Sequence, residues 1–130
     1  MCPTIRTRVC WVSWMVFVAT QFVKADIFDS DFSQASVISM FLLPELNLKL
    51  RPKLLGLKPG TRIVSNTFPM GEWTPDDTAD VQGDCGSYCT ALLWIVPARV
   101  EGEWRLPGGP LVLRQNFQAV DGTIGVDGKT

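Results

Sequence analysis

Histidine is absent from this chain of 130 residues, and tyrosine occurs once, as Tyr88. Without histidine the chain lacks the commonest general base and every histidine-dependent catalytic triad. Most zinc-site patterns fail for the same reason, and we expect no metal site. Any catalysis would depend on carboxylates, on Tyr88, on a cysteine or on a cofactor that brings its own reactivity.

Clusters of positive charge are also missing. The 12 Lys and Arg residues stand against 13 Asp and Glu residues, which gives a net charge of -1. The electrostatic footprint of a nucleic-acid-binding protein is therefore absent, and we expect no nucleic-acid partner. The length suits about one domain with a single hydrophobic core.

Cysteine is scarce, with four residues at positions 2, 10, 85 and 89. These are too few and too scattered for a disulfide scaffold. The spacing of Cys85 and Cys89 differs from C-x-x-C, and two thiols without further ligands make a poor zinc site. We expect ordinary loop cysteines here, with a local disulfide and a functional pair as the alternatives.

The N-terminus carries an apolar run, Val9–Ala19, preceded by Arg6 and Arg8. The run has the length of a signal-peptide core, residues 23–25 could be its cleavage site, and it is too short to span a bilayer as a helix. Against export, residues 21–28 resemble a strand that leads into an acidic turn. We expect a cytoplasmic protein without membrane contact whose residues 1–20 are atypical, and an exported protein if residues 1–25 are a signal peptide.

Residues 35–68 predict two buried strands joined by a helix. The apolar run Ser36–Leu43 stops at Pro44, and Thr61–Phe68 forms a second strand-like run. Between the two runs, apolar residues recur every four positions and so share one helix face: Leu46, Leu50 and Leu54. Strand, helix and strand in this order predict a parallel crossover unit.

The rest of the chain predicts loops and antiparallel strands. The aspartates of residues 26–34 suit turn and helix-capping positions. Residues 68–84, rich in Pro, Gly and acidic side chains, should be an exposed loop. A buried strand at 91–98 is followed by a short return strand at 103–106, a half-exposed strand at 111–120 and an incomplete hairpin at 121–128.

A family resemblance covers about residues 21 to 120. It rests on Ala25–Phe28, on Leu42-Leu43-Pro44-Glu45-Leu46-Asn47, and on Lys58-Pro59-Gly60-Thr61-Arg62 with the strand that follows. These segments resemble the second half of class I S-adenosylmethionine (SAM)-dependent methyltransferases, especially a bacterial group. Together with Phe68-Pro69-Met70 and Trp73, they are also similar to small protein-lysine methyltransferases.

The resemblance implies an α/β fold: an incomplete Rossmann-like methyltransferase sheet, with strands three to five and one crossover helix, followed by antiparallel β-hairpins. It implies SAM as cofactor, with ligands at the carboxyl ends of the parallel strands. Asp26, Ile27 and Phe28 would lie at the end of the third strand, where an acidic residue accepts a hydrogen bond from adenine. Leu42, Leu43, Pro44 and Glu45 would lie at the end of the fourth strand beside the transferred methyl group, and Ser65, Asn66 and Phe68 would follow the fifth strand.

Those residues also have simpler interpretations. Leu42 and Leu43 suit a strand in the core, and Glu45 suits the first turn of a helix, where the dipole favours a carboxylate. As candidates we take Leu43, Pro44 and Glu45 for catalysis, and Asp26, Ile27, Phe28 and Leu42 for the cofactor.

The chain also departs from the family pattern. No G-x-G-x-x-G or similar turn occurs in the 130 residues. We expect residues 21–130 to be the C-terminal part of a methyltransferase domain, weak or inactive alone and doubtful in binding SAM. The methyl acceptor would be a protein, with lysine one candidate, or a small molecule. Two other hypotheses stay open. The chain would be a small exported β-rich binding protein with an oxidised cysteine pair, or a product without independent function.

Overall fold

The computed structural model describes residues 21–80 and 82–125. The chain divides into two units, Met1–Asp31 and Phe32–Thr130. The described part of the second unit is a mixed α/β structure with one helix and two sheets. Its elements are β1 Val37–Met40, α1 Pro44–Leu55, β2 Arg62–Asn66, β3 Asp77–Asp80, β4 Thr90–Ile95, β5 Gly102–Leu106, β6 Gly109–Asn116 and β7 Ala119–Ile124.

The predicted crossover unit is confirmed. β1 and β2 pair in parallel, with Val37 opposite Arg62, and α1 connects them. The helix begins at Pro44, whose fixed φ and missing N–H suit the first helical position. It ends before Gly56, whose backbone N–H donates to the carbonyl of Lys53.

The buried face of α1 differs from the predicted one. Leu50 and Leu54 are buried as expected, but Leu46 is 38% exposed, while the neighbouring Asn47 is fully buried. Positions 47, 50 and 54 follow the 3.6-residue helical period more closely than a strict spacing of four. Leu46 was assigned wrongly because the polar Asn47 was not counted as a core residue.

β4 continues the first sheet, whose strand order is β1-β2-β4-β3, and it runs antiparallel to both of its neighbours. Ile63 on β2 lies opposite Trp94 on β4, and both side chains are fully buried. The hydrophobic core of the described residues consists of Met40, Leu50, Leu54, Leu57, Ile63, Met70, Trp73, Trp94 and Val96.

The expectation of an exposed loop over residues 68–84 was wrong in two respects. Met70 and Trp73 are fully buried. β3 also lies in this segment, although Asp77-Thr78-Ala79-Asp80 has no apolar pattern and is exposed along its whole length. Its strand character comes from backbone pairing with β4, which a side-chain pattern does not reveal.

The second sheet contains β5, β6 and β7 in that order, all antiparallel. The prediction that residues 103–106 return along the strand at 91–98 was wrong, since β5 pairs with β6. Alternation of half-buried and exposed side chains along β6 is confirmed, but the strand ends at Asn116. β7 then runs through Asp121 and Gly122, where a turn was predicted.

The turn between β6 and β7 is formed by Phe117 and Gln118, and Phe117 has a φ of +53°. Few non-glycine residues adopt this conformation, so the sequence carries no turn signal here. The Phe117 ring stacks on Trp73 with ring centroids 6.0 Å apart, and the Arg51 guanidinium lies 5.4 Å from its centroid. Gln118 Nε2 also donates to the carbonyl of Thr74 at 2.9 Å. These contacts hold the turn in place and dock the second sheet on the first.

Within residues 21–31, the described part of the first unit, no strand is formed, so the predicted strand at 21–28 was wrong. Phe22 and Val23 are exposed, and a strand needs a partner that these residues do not provide. Asp26 instead organises a turn: its Oδ1 accepts a hydrogen bond from the Phe28 N–H at 2.8 Å, and its carbonyl accepts one from the Ser30 N–H at 2.9 Å. The turn role predicted for the aspartates is confirmed for Asp26.

Cys85 and Cys89 form a disulfide, with Cα atoms 5.4 Å apart. The expectation of ordinary loop cysteines was therefore wrong, and the local-disulfide alternative holds. A turn in which the Tyr88 N–H donates to the Cys85 carbonyl at 3.2 Å brings the two residues together. Gly86, with a φ of +60°, supplies the left-handed residue of this turn.

Residues 1–20 lie outside the described part of the chain, so the atypical segment and the signal-peptide alternative stay predictions. Among the described residues, no helix combines the length and the apolar character that crossing a membrane requires.

Candidate functional site

The carboxyl ends of β1 and β2 lie at the same edge of the first sheet because the two strands are parallel neighbours. Phe41 and Leu42 directly follow β1, and Thr67 and Phe68 directly follow β2. The structure thus brings together the segments that the family resemblance assigned to the ends of the fourth and fifth strands.

A tight turn follows β2. Thr67 has a φ of +63°, and the Phe68 N–H donates to the Asn66 carbonyl at 2.7 Å, which closes a γ-turn of the rare form with positive φ. The Thr67 N–H donates to the Thr90 carbonyl at 2.7 Å, which ties the turn to β4. Such backbone conformations cost on the order of 1–3 kcal/mol and cluster at functional sites.

The helix side of this edge carries the predicted catalytic candidates. Leu43 is 58% exposed at the N-cap of α1, Pro44 begins the helix, and Glu45 is an exposed carboxylate in its first turn. Leu42 is half-buried between Phe41 and Leu43 in the chain. The interpretation of Leu42 and Leu43 as core strand residues is wrong, because both lie beyond the end of β1. Leu42 is half-buried and Leu43 faces solvent.

An aromatic cluster of Phe41, Phe68 and Tyr88 lies at this edge. The rings of Phe41 and Phe68 stack with centroids 5.6 Å apart. Tyr88 meets Phe41 edge-on at 5.2 Å and Phe68 at 6.1 Å. Phe41 is 56% exposed and Tyr88 is 51% exposed, so the cluster presents ring surface to solvent.

Two polar side chains of α1 hold the segment that follows β2. Asn47 Nδ2 donates to the carbonyls of Phe68 at 3.1 Å and Pro69 at 3.3 Å, and Arg51 Nη1 donates to the carbonyl of Met70 at 3.0 Å. Asn47 and Arg51 are one helical turn apart, so three successive carbonyl oxygens are bound from one face of α1. The buried hydroxyl of Ser65 also donates to the Phe68 carbonyl at 2.8 Å. These bonds fix the backbone that carries Phe68.

The other predicted cofactor residues belong to the first unit. Asp26, Ile27 and Phe28 form the turn described above, and the Asp26 side chain is exposed. A carboxylate of this kind suits the expected role as an acceptor for an amino group.

A cavity of about 490 Å³ lies elsewhere, lined by Leu55, Pro97, Arg99, Glu101, Gln115 and Phe117. Leu55 ends α1, and Pro97 follows β4, which runs antiparallel to β2. The cavity is therefore at the edge of the first sheet opposite the aromatic cluster. Within the described ranges, no group of three or more Cys, Asp or Glu side chains is placed to hold a metal ion.

A family model described as the ANTKMT methyltransferase domain matches residues 6–77, more than half of the chain. The chain belongs to this family. The expected resemblance to SAM-dependent methyltransferases is thereby confirmed. The ANTKMT match contains β1, α1 and β2 with Phe41 and Phe68, whereas Tyr88 and the disulfide lie beyond its end. It begins at residue 6, inside residues 1–20, the segment predicted to be atypical.

Two curated relatives are lysine methyltransferases. The chain is 41% identical over 75 residues to a protein-lysine N-methyltransferase of Saccharolobus islandicus (strain REY15A), a match that covers 57% of this chain and 46% of the relative. It is 34% identical over 61 residues to a Mus musculus lysine N-methyltransferase that is named for a component of ATP synthase, covering 46% of this chain and 25% of the relative. The chain thus spans about half or less of the length of these relatives.

A solved structure is also similar: an RNA methyltransferase from Salinibacter ruber in complex with S-adenosyl-L-homocysteine (SAH). The TM-score is 0.58 and the sequence identity 39%, over 72% of this chain and 58% of that one. The mixed α/β fold is therefore shared with a methyltransferase structure, and SAM is the cofactor that the family uses.

Sequence reasoning missed Phe41, Asn47 and Tyr88 as residues of this edge. Phe41 and Asn47 lie within or beside the segment that carried the family resemblance, but no role was assigned to them. Tyr88, the only tyrosine of the chain, was named as a possible catalytic group but was not placed at this edge.

Proposed function

We propose that the chain provides the acceptor side of a SAM-dependent methyltransferase site that modifies a lysine side chain of a protein. One observation carries this proposal: Phe41 and Phe68 stack at 5.6 Å where the carboxyl ends of two parallel strands meet. The family membership supports methyl transfer. The two lysine methyltransferase relatives support lysine as the acceptor.

For the acceptor, the exposed rings offer a favourable surface. An ammonium group over an aromatic face gains about 0.5–1 kcal/mol at exposed sites and more when it is desolvated. Beyond the rings, the apolar side chains of Leu42 and Leu43 would act in the opposite direction and lower the pKa of the lysine amine, because desolvation disfavours the charged form. The neutral amine is the nucleophile, so this shift favours the reaction. Glu45, an exposed carboxylate close to Leu43 in sequence, would attract the incoming cation.

For the cofactor, we propose roles residue by residue from the family resemblance. Asp26 would accept a hydrogen bond from the adenine amino group, with Ile27 and Phe28 as apolar neighbours in the chain. Leu42 would contribute apolar surface next to the transferred group, and Leu43 and Pro44 would shape the approach of the amine. When bound, SAM supplies a methyl group on a sulfonium, which an amine takes by displacing a thioether. The protein's contribution is alignment and exclusion of water.

We also propose the finer strand assignment, with β1 as the fourth strand and β2 as the fifth strand of a Rossmann-like sheet. The parallel register and the single crossover helix support it. Because the sequence contains no glycine-rich turn, we propose that the 130-residue chain binds SAM weakly. Titration calorimetry with SAM tests this point directly, and tight binding would contradict it.

The acceptor proposal is tested with the purified chain in excess and SAM that carries a trideuterated methyl group. Poly-L-lysine and a homopolymeric RNA serve as separate acceptors, and hydrolysates are analysed by mass spectrometry. We expect trideuteromethyl-lysine, which accumulates during long incubation even if turnover is slow.

The control is the chain with Phe41→Ala and Phe68→Ala, which lacks the stacked pair and should produce much less label. Label in RNA instead of lysine would overturn the assignment of lysine, and label in neither acceptor would overturn the proposal that this chain transfers a methyl group. RNA is included because the similar Salinibacter ruber structure is described as an RNA methyltransferase.

A further inference from the structure

We infer that Tyr88 is a specificity-determining residue for the acceptor lysine and that the Cys85–Cys89 disulfide holds it in place. The inference rests on the proposed function, because it gives Tyr88 a role at the same acceptor site. The loop that carries Tyr88, residues 85–89, lies beyond residue 77, where the family match ends.

The position of Tyr88 carries the first step. Its ring is the third member of the aromatic cluster, 5.2 Å from Phe41 and 6.1 Å from Phe68. The ring meets Phe41 edge-on, with an interplanar angle of 80°, so it stands as a side wall against the stacked pair. About half of the Tyr88 surface is exposed, at 51%, and available to a ligand. A lysine side chain lying on Phe41 would therefore meet Tyr88 at its flank.

The way the loop is held carries the second step. On its C-terminal side, Tyr88 is two residues from Thr90, whose carbonyl accepts the Thr67 N–H and whose hydroxyl donates to Asp80 Oδ1 at 2.8 Å. The disulfide joins Cys85, before Tyr88, to Cys89, directly after it, and together with the Tyr88 N–H to Cys85 carbonyl bond it closes a five-residue loop. Exposed glycines at 83 and 86 give the backbone of this loop conformational freedom. Breaking the disulfide would thus remove the covalent closure of the loop that positions Tyr88.

The chemistry is a thiol–disulfide exchange with a dithiol reductant. The dithiol sulfurs form a disulfide, the Cys85–Cys89 bond breaks, and two electrons and two protons pass to the cysteine sulfurs. Reducing compartments keep such pairs as thiols, and oxidising compartments keep them joined. The affinity for the acceptor lysine would accordingly be higher in an oxidising compartment than in a reducing one, while the affinity for SAM would be the same in both.

The test uses the single tyrosine of the chain. Incorporation of 3-fluorotyrosine gives one fluorine NMR signal, from position 88. The probe is Nα-acetyl-lysine methylamide, and the matched control ligand is Nα-acetyl-norleucine methylamide, which has the same backbone and a hydrocarbon chain but no amine. In the oxidised chain we expect the lysine probe to shift the signal saturably and the norleucine probe to leave it nearly unchanged.

Reduction with a dithiol should weaken binding of the lysine probe by about two- to fivefold, the range that loss of one cation–π contact at an exposed site implies. SAH affinity should change by less than about twofold. In a Cys85→Ser/Cys89→Ser chain the reductant should change nothing, which excludes effects through Cys2 and Cys10. Equal shifts with both probes would overturn the inference. An affinity for the lysine probe that is the same before and after reduction would also overturn it.

Kinetics separate this inference from the proposed function. Tyr88→Leu should raise the KM for poly-L-lysine by about two- to fivefold with little change in kcat, and Tyr88→Phe, which keeps the ring, should restore it. If lysine is methylated but Tyr88→Leu leaves the KM unchanged, the inference fails and the proposed function stands. If the fluorine signal responds as expected but no lysine is methylated, the lysine contact stands and the proposed function fails.

Discussion

The indole N–H of Trp94 donates a hydrogen bond to the backbone carbonyl of Trp73 at 2.8 Å, and both side chains are fully buried. Their rings are 6.2 Å apart. Trp73 in turn stacks on Phe117, so this pair joins the first sheet to the turn of the second sheet. Trp94 is therefore central to the stability of the described fold.

Replacing Trp94 with Phe should lower the free energy of unfolding by about 2–4 kcal/mol, because the change leaves a cavity and a buried carbonyl without its donor. Trp104→Phe is the matched control. Trp104 Nε1 also donates to a backbone carbonyl at 2.8 Å, that of Val100, but its ring is 48% exposed. Its loss should cost about 1 kcal/mol or less. Urea unfolding measures both values, and equal losses would contradict the role given to Trp94.

Asn47→Ala should lower the free energy of unfolding by about 1–3 kcal/mol, since the carbonyls of Phe68 and Pro69 lose the donor that α1 supplies. It should also change the chemical shifts of the Phe68 ring, because the backbone there is no longer fixed from α1. Asn116→Ala, an exposed amide at the end of β6, serves as control and should stay within about 0.5 kcal/mol. An Asn47→Ala chain with unchanged stability would show that the contacts with α1 do not hold this segment.

Phe117 combines a favourable ring contact with an unfavourable backbone conformation, φ +53°. Both Phe117→Ala and Phe117→Gly remove the stack on Trp73 and should destabilise the chain. The glycine variant should nevertheless be more stable than the alanine variant by about 1 kcal/mol, because glycine adopts positive φ without steric cost. Thermal or urea unfolding of the two variants gives the difference. A less stable glycine variant would mean that the ring does not compensate for a strained backbone.

The crossover unit could be predicted because its signals are local. Two apolar runs, a proline that begins α1 and a Lys-Pro-Gly turn mark β1, α1 and β2 without reference to the rest of the chain. β3 could not be predicted, because its strand character comes from pairing with β4 and not from its own side chains. The turn at Phe117 is likewise set by distant contacts with Trp73 and Arg51.

The residues of the candidate site also divide into those with local sequence signals and those that depend on distant contacts. Leu42 to Glu45 were found because one continuous segment carries the family resemblance. The aromatic cluster was missed because its members are far apart in sequence, at positions 41, 68 and 88. Phe41 and Phe68 follow parallel strands whose carboxyl ends share one edge, and Tyr88 reaches that edge because β4, which it precedes, runs antiparallel to β2. Asn47 was missed because a polar residue on a buried helix face interrupts the apolar pattern.

The proposed methyl-transfer site lies at the carboxyl ends of β1 and β2. Titration of SAH into the chain with carbon-13-labelled leucine methyl groups, followed by NMR, is the sharpest test of this placement and detects weak binding. Leu42 and Leu43 should show saturable shifts, while Leu106, 44% exposed on β5 of the second sheet, should not move. Shifts confined to the second sheet, or no saturable shift at Leu42 and Leu43, would show that the site lies elsewhere.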